Sequence, residues 1–238
     1  MKVVVWNENI HEKEIPEVTE LYPGGLHGYI ASFLQAEDDM EVVTATLDDE
    51  ECGLTNALLD ETDVLIWWAH IGHDRVPDEV AERVQRHVLQ GMGFIALHSA
   101  HFSMPFTRLM GTPCNLKWRE GARERVWTIK PNHPIAAGVP DTFVLDPEEM
   151  YGEPFGIPEP QEVIFMGWFN GGEVFRSGCT FVRGNGKIFY FQPGHETNES
   201  FRNEIVQRII KNAVRWACPL QKNIEITCPG FRALEGNE

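Results

Sequence analysis

Residues 94–101 read FIALHSAH, an apolar run that passes straight into a histidine. Small residues frame that histidine two positions away on each side, in the order Ala96-Leu97-His98-Ser99-Ala100. Such framing suits a sharp strand-to-helix elbow that pushes one side chain out of the chain's path. Serine or cysteine in that place would attack a substrate. Imidazole suits ligation of a metal or proton transfer instead. A helix amino terminus disfavours an imidazolium, so His98 is expected to be neutral, a ligand or a base. Ser99, one residue beyond, is a rival nucleophile, but the small-residue frame does not fit it.

The remaining histidines sharpen the expectation. His70 and His73-Asp74 follow VLIWWA, His101 follows His98, and His195-Glu196 follows KIFYFQPG, while His27 stands at an expected helix start. Six of the nine histidines therefore sit where a strand or loop hands over to the next element. Taken singly, each reads more readily as a hydrogen-bonded loop histidine. As a set they should converge, because neighbouring parallel strands lie about 4.8 Å apart. His27, His70, His73 and His101 are the candidate ligands of a zinc-like divalent metal. His98, His195 and Glu196 are the candidate acid–base residues. The stretch DPEEMYGEPF adds Glu149 and Tyr151 as candidate substrate contacts beside Ser99, and reads as an acidic loop. Tryptophans can stack on the CH face of a sugar ring. Trp68 is taken as the substrate-binding one, with Trp67, Trp118, Trp127 and Trp168 as further candidates.

Parallel strands would bring these residues together. VVVW, VVTATL, VLIWWA and FIALH are too continuously apolar for strands with one wet face, and helical patterns separate them. In PDEVAERVQRHVLQG, Val80, Val84 and Val88 recur every four residues, from Pro77 to Gly91. A second helix is expected from about Gly25 through Leu34, and an amphipathic one closes the sheet region up to Trp216. EVIFMGWF, GCTFVR and KIFYFQP read as further strands, the last two joined at Gly184-Asn185-Gly186 as a hairpin. Residues 105–160 read as long loops on the active face. The predicted fold class is α/β, a doubly wound, mostly parallel sheet with extra loops and a β-hairpin. One domain is expected over residues 1–217, with a carboxy-terminal extension over 218–238 that could pack on a second subunit. Ligands of such sheets bind outside the carboxyl ends of the strands.

Composition narrows the partners. The net charge of −16 repels phosphate backbones and anionic lipid, so nucleic acid and membrane are excluded as partners. A small neutral ligand fits better. Five scattered cysteines with no CxxC pattern argue against a disulfide framework and a thiolate zinc site. With no signal-like or membrane-spanning apolar stretch, a cytoplasmic protein and a homo-oligomer are expected.

LHGYIASFL, WWAHIGHDRVPDEV, HVLQGMGFIALHSAHFS, NHPIAAGVPDTFVLDPEEMYGEPF and FVRGNGKIFYFQPGHETNESFRNEIVQRIIKNAVRWA together resemble the ThuA-like family of trehalose utilisation, in family order. The resemblance implies a flavodoxin-like, class I glutamine-amidotransferase-like fold and a role in sugar metabolism. Amidotransferases of this fold carry cysteine at the elbow and a His-x-Glu further on. Here His98 takes the place of the cysteine, and His195-Glu196 stands near the second position with altered spacing. Glutamine hydrolysis through a thioester is therefore not expected. The leading expectation is an isomerase- or lyase-like enzyme that converts a neutral sugar or keto-sugar without a covalent nucleophile, with or without a metal. The alternative is a non-catalytic sugar-binding or regulatory module.

Overall fold

The structure, a computed structural model, describes residues 1–235. Strands β1 (Lys2–Asn7), β2 (Glu41–Thr46), β3 (Val64–Trp68) and β4 (Gly93–Leu97) run parallel, and β9 (Gly186–Phe191) joins them beside β4. Their residues alternate between two apolar layers. Val4, Trp6, Leu65, Trp67, Phe94 and Ala96 enter one, Val3, Val5, Ile66, Trp68, Ile95 and Leu97 the other. Neither face of β1, β3 or β4 meets water, which is why they read as unbroken apolar runs, whereas β2 at the sheet edge is partly exposed.

Helices cover both faces. Among them are α3 (Gly25–Gln35), α5 (Asp78–Leu89), α6 (Met104–Met110) and α7 (Glu204–Ala217). α5 buries Val80, Val84 and Val88 in the first layer, with acidic residues in its first turn and Arg86 and His87 in its last, as the helix dipole favours. α7 starts at Asn203, whose side chain accepts a 2.8 Å hydrogen bond from Ile205 N. It buries Val206, Ile209, Ile210 and Val214 in the second layer, and burying each such side chain contributes about 1.5–3 kcal/mol.

The region expected to be loops is different. It forms α6 and then two long strands, β5 (Lys117–Thr128) and β6 (Thr142–Gly152). With β7 (Glu162–Phe169) and β8 (Val174–Arg183) they extend the sheet as an antiparallel wing, giving the order β2-β1-β3-β4-β9-β8-β7-β5-β6. The acidic stretch around Glu149 is thus strand β6, and strand geometry aims its side chains. The predicted β8–β9 hairpin is present, with Gly184 at φ +57° in the turn.

The extension beyond α7 has no regular structure over its described part and leaves Leu220, Ile226, Phe231 and Leu234 exposed. Residues 236–238 of the predicted extension lie outside the described residues. Among the described residues no helix is long and apolar enough to cross a membrane.

Candidate functional site

The parallel strands deliver their terminal residues to one place, and three buried anchors fix them there. Glu8, just past β1, accepts backbone hydrogen bonds from Ile71 (2.9 Å) and Gly72 (2.7 Å), which holds the turn carrying His70. Glu148 on β6 accepts from the backbone N–H groups of Glu149 (2.9 Å), Gly194 (3.1 Å) and His195 (3.3 Å), and from Ser200 and Asn198. That fully buried carboxylate ties the wing to the loop after β9. Gly194, the third anchor, lies at φ +129°, and a Cβ there would stand 2.4 Å from the Phe201 ring. Only glycine permits the turn that presents His195.

His70, Glu149 and His195 offer donor atoms all within 4.8 Å of one another. His11, His70 and Glu196 form a second such group, sharing His70. Glu196 Oε1 accepts from both Nδ1 of His70 (2.7 Å) and Nδ1 of His11. Burial works against charge on Glu196, but these two imidazoles outweigh it and hold its carboxyl far below the usual range. The same hydrogen bond to Glu196 raises His11 above its ordinary value. With Nδ1 of His70 taken, its Nε2 is the free nitrogen.

His195 is the opposite case. Burial, with His98 nearby, lowers it to about 4, so it is neutral at pH 7. Its Nδ1 lies 2.8 Å from the Thr197 hydroxyl and 3.2 Å from the Thr197 backbone N–H. Its ring centroid is 4.9 Å from that of His70 and 5.3 Å from that of His98.

His98 sits at the elbow with φ +53°, a conformation that costs an imidazole-bearing residue about 1–3 kcal/mol. Its backbone bears out the sharp turn, and its surroundings act on the ring in the direction opposite to the helix dipole. The Nδ1–H donates to the Gln192 carbonyl at 2.8 Å, and Nε2 lies 2.9 Å from Glu149 Oε2. Burial opposes the charged ring, yet Glu149, helped by Glu148, raises His98 above its ordinary value. The carboxylate thus outweighs the short turn's dipole. His98 is also fully buried and lines neither cleft of the site. It backs Glu149 rather than facing a ligand. The contact lacks the alignment of a hydrogen bond, so the buried Oε2 of Glu149 keeps no directed donor.

Two clefts meet at His70, Glu120 and Glu149. One, of about 450 Å³, is bounded by His11, Ile15, His195, Glu196, Thr197 and Asn198. The other, of about 380 Å³, is bounded by Ser99, His101, Tyr151, Leu116 and the exposed rings of Phe102 and Trp118. The Ser99 hydroxyl is 2.6 Å from that of Tyr151, whose ring stacks on His98, so no histidine activates it as a nucleophile. None of the described residues lining either cleft is Lys or Arg.

Several predicted residues lie elsewhere. Trp68 is fully buried and donates its indole N–H to the Gly194 carbonyl at 2.9 Å, so it props up the His195 loop and does not touch a ligand. Of the four predicted metal ligands, only His70 belongs to a compact donor group. His101 lines the second cleft, its Nδ1 2.9 Å from the Cys114 carbonyl, and burial lowers it to about 3. His73, near Phe102, is lowered by burial to about 4, and both its ring nitrogens are buried without partners. His27, in the first turn of α3, is lowered by burial and packs against Gly25. The sequence reading passed over His11 and Glu120. Asn7-Glu8-Asn9-Ile10-His11 follows β1 as His70 follows β3, so the strand-end rule could have found His11.

The family model for ThuA, trehalose utilisation, matches residues 2–217. The chain belongs to the ThuA family. Among solved structures, the ThuA-like protein of Parabacteroides merdae superposes with a TM-score of 0.65 at 13% identity, over 94% of this chain and 92% of that one. A cytoplasmic protein from Salmonella typhimurium gives 0.64 at 12% identity, over 92% of this chain and all (100%) of that one. The structure of PurLQS from Thermotoga maritima gives 0.53 at 13% identity, over 90% and 98%, and shares the fold. No curated protein matches the chain by sequence.

Proposed function

We propose that this ThuA-family chain is an enzyme that converts a neutral, non-phosphorylated sugar or keto-sugar, with a divalent cation held by His70, Glu149 and His195. The observation that carries the reading is the compact set of His70, Glu149 and His195, whose donor atoms lie within 4.8 Å of one another where the clefts meet. His70 fits a ligand role as it stands, because a metal-binding imidazole usually donates its other nitrogen to a carboxylate, here Glu196. A ligand role for Nε2 of His195 requires the proton on Nδ1, which exchanges the bond that Nδ1 accepts from the Thr197 backbone N–H for one donated to the Thr197 hydroxyl. A bound ion would supply Lewis-acid polarisation of a sugar oxygen.

The other groups define the ligand and move the proton. With no Lys or Arg in the lining and several carboxylates around it, a phosphate or carboxylate on the substrate would be repelled. His11, raised by its bond to Glu196, is a hydrogen-bond donor and general acid at the cleft wall. Thr197 and Asn198 offer hydroxyl and amide partners, and Trp118 a stacking face. A cytoplasmic location suits the unpaired thiols and the label of the Salmonella relative. Incubating keto-sugars with the protein in heavy water tests the reading. Exchange of the C–H beside the carbonyl, abolished in Glu149→Gln, is expected. Binding of sugars without exchange or conversion would point instead to a sugar-binding module.

A further inference from the structure

A fully buried acid lies behind the site, outside both clefts. Glu124 on β5 places Oε1 2.8 Å from Ser177 Oγ on β8, and its Oε2 has no partner. Gly167 on β7 makes the space: a Cβ there would lie 2.2 Å from Glu124 Oε1 and 2.4 Å from Ser177 Oγ. Ser177 Oγ is also 3.4 Å from the side-chain oxygen of Gln192. Gln192 in turn holds the site twice. Its Nε2 donates to the Glu149 carbonyl at 2.9 Å, and its own carbonyl accepts from His98 Nδ1 at 2.8 Å.

Counting protons decides the state of this chain. The Gln192 amide is oriented by its bond to Glu149, so its oxygen faces Ser177. Ser177 has one hydroxyl proton and two acceptor oxygens beside it. An ionised Glu124 would compete with Gln192 for that proton and leave a charge buried without a cation. A protonated Glu124 donates to Ser177, which donates to Gln192, and the chain closes with these donors and acceptors matched.

We propose that Glu124 is a positioning residue that acts as a neutral acid, setting Gln192 and through it both His98 and Glu149. Burial, reinforced by Glu148 from β6, raises its carboxyl well above the ordinary value. The groups facing it are Glu148, Ser177 and, from β9, the Tyr190 hydroxyl; no cation is among them. The role depends on neither a metal nor a sugar, so it stands or falls apart from the proposed function.

The test compares wild type, Glu124→Gln and Glu124→Leu, all stripped of metal by chelator. Glutamine can donate to Ser177 at any pH, whereas glutamate in the unfolded chain ionises above about pH 4.5 and favours unfolding there. The melting temperature of Glu124→Gln relative to wild type is therefore expected to rise by at least about 3 °C from about pH 4 to about pH 8. A flat or falling difference would show that Glu124 is ionised and overturn the proposal. The ring nitrogen resonances of His98 give the positioning readout. They should match wild type in Glu124→Gln and shift in Glu124→Leu. If Glu124→Leu does not fold, Ser177→Ala cuts the same link and should shift them. Unchanged resonances in a folded Glu124→Leu or in Ser177→Ala would refute the coupling.

Discussion

His98 and Glu149 stand 2.9 Å apart in the buried floor of the site, with the other nitrogen of His98 held by the Gln192 carbonyl. Both ring nitrogens face oxygen atoms, and the Glu149 carboxylate favours the protonated ring. Removing one member of a buried pair leaves the other uncompensated, at a cost of about 3–5 kcal/mol. His98→Ala keeps a Cβ at the positive φ and relieves none of its strain, so a net loss of about 3–5 kcal/mol is expected. Urea unfolding of His98→Ala, Glu149→Ala and the double variant measures it. The double variant should lose clearly less than the sum, and simple additivity would dismiss the pair.

Glu196 fixes two imidazoles through one oxygen, so Glu196→Gln should free the rings of His11 and His70. Loss of such an orienting carboxylate typically lowers metal affinity about 10–100-fold. Calorimetric titration of zinc into the variant and the wild type compares them. Equal affinity would remove Glu196 from any ligand-orienting role.

Two buried histidines outside the donor groups make the fold acid-sensitive. His73 is lowered to about 4 and His101 to about 3, in each case chiefly by burial. Depressed folded values mean that the unfolded chain takes up protons first as pH falls below about 6.5. Their contribution is therefore present above that pH and is lost down to about pH 4 and below. His101→Gln should flatten the fall of the urea midpoint over about pH 6.5 to 4. A variant whose midpoint falls as steeply as that of wild type would show that His101 titrates normally.

Trp118 is 62% exposed on the rim of the second cleft. Its replacement by alanine should change stability by no more than about 0.5 kcal/mol. Steady-state kinetics on the substrate should show a raised KM with kcat nearly kept. An unchanged KM would leave the indole without a role in binding.

The parallel half of the fold was legible because its strands are buried on both faces, and continuous runs such as VLIWWA and FIAL announce this. The histidines at their ends were legible for the same reason, since strand ends must converge. The wing was not. In β5 the run KWREGARERVWT is mostly polar and broken by register shifts between Arg119, Ala122 and Glu124. In β6, Asp146 and Pro147 interrupt the apolar alternation, so a strand looked like an acidic loop. Glu149 could be named as a site residue, but not as the centre of it. The contact of His98 with Glu149 was not legible because its partner lies about fifty residues away, across a strand pairing that local sequence does not encode. Trp68 was placed in the site for the stacking its indole could offer a sugar, whereas within β3 it is fully buried in the second apolar layer.

Metal content tests the central claim most directly. Protein purified untagged and without chelator, then equilibrated with zinc or manganese, would be measured by mass spectrometry beside His70→Ala and Glu149→Gln. The wild type should carry close to one equivalent of metal, and both variants should lose it while keeping wild-type circular dichroism. A wild type that stays empty after equilibration, or a Glu149→Gln variant that binds as fully as wild type, would contradict a metal held by His70, Glu149 and His195.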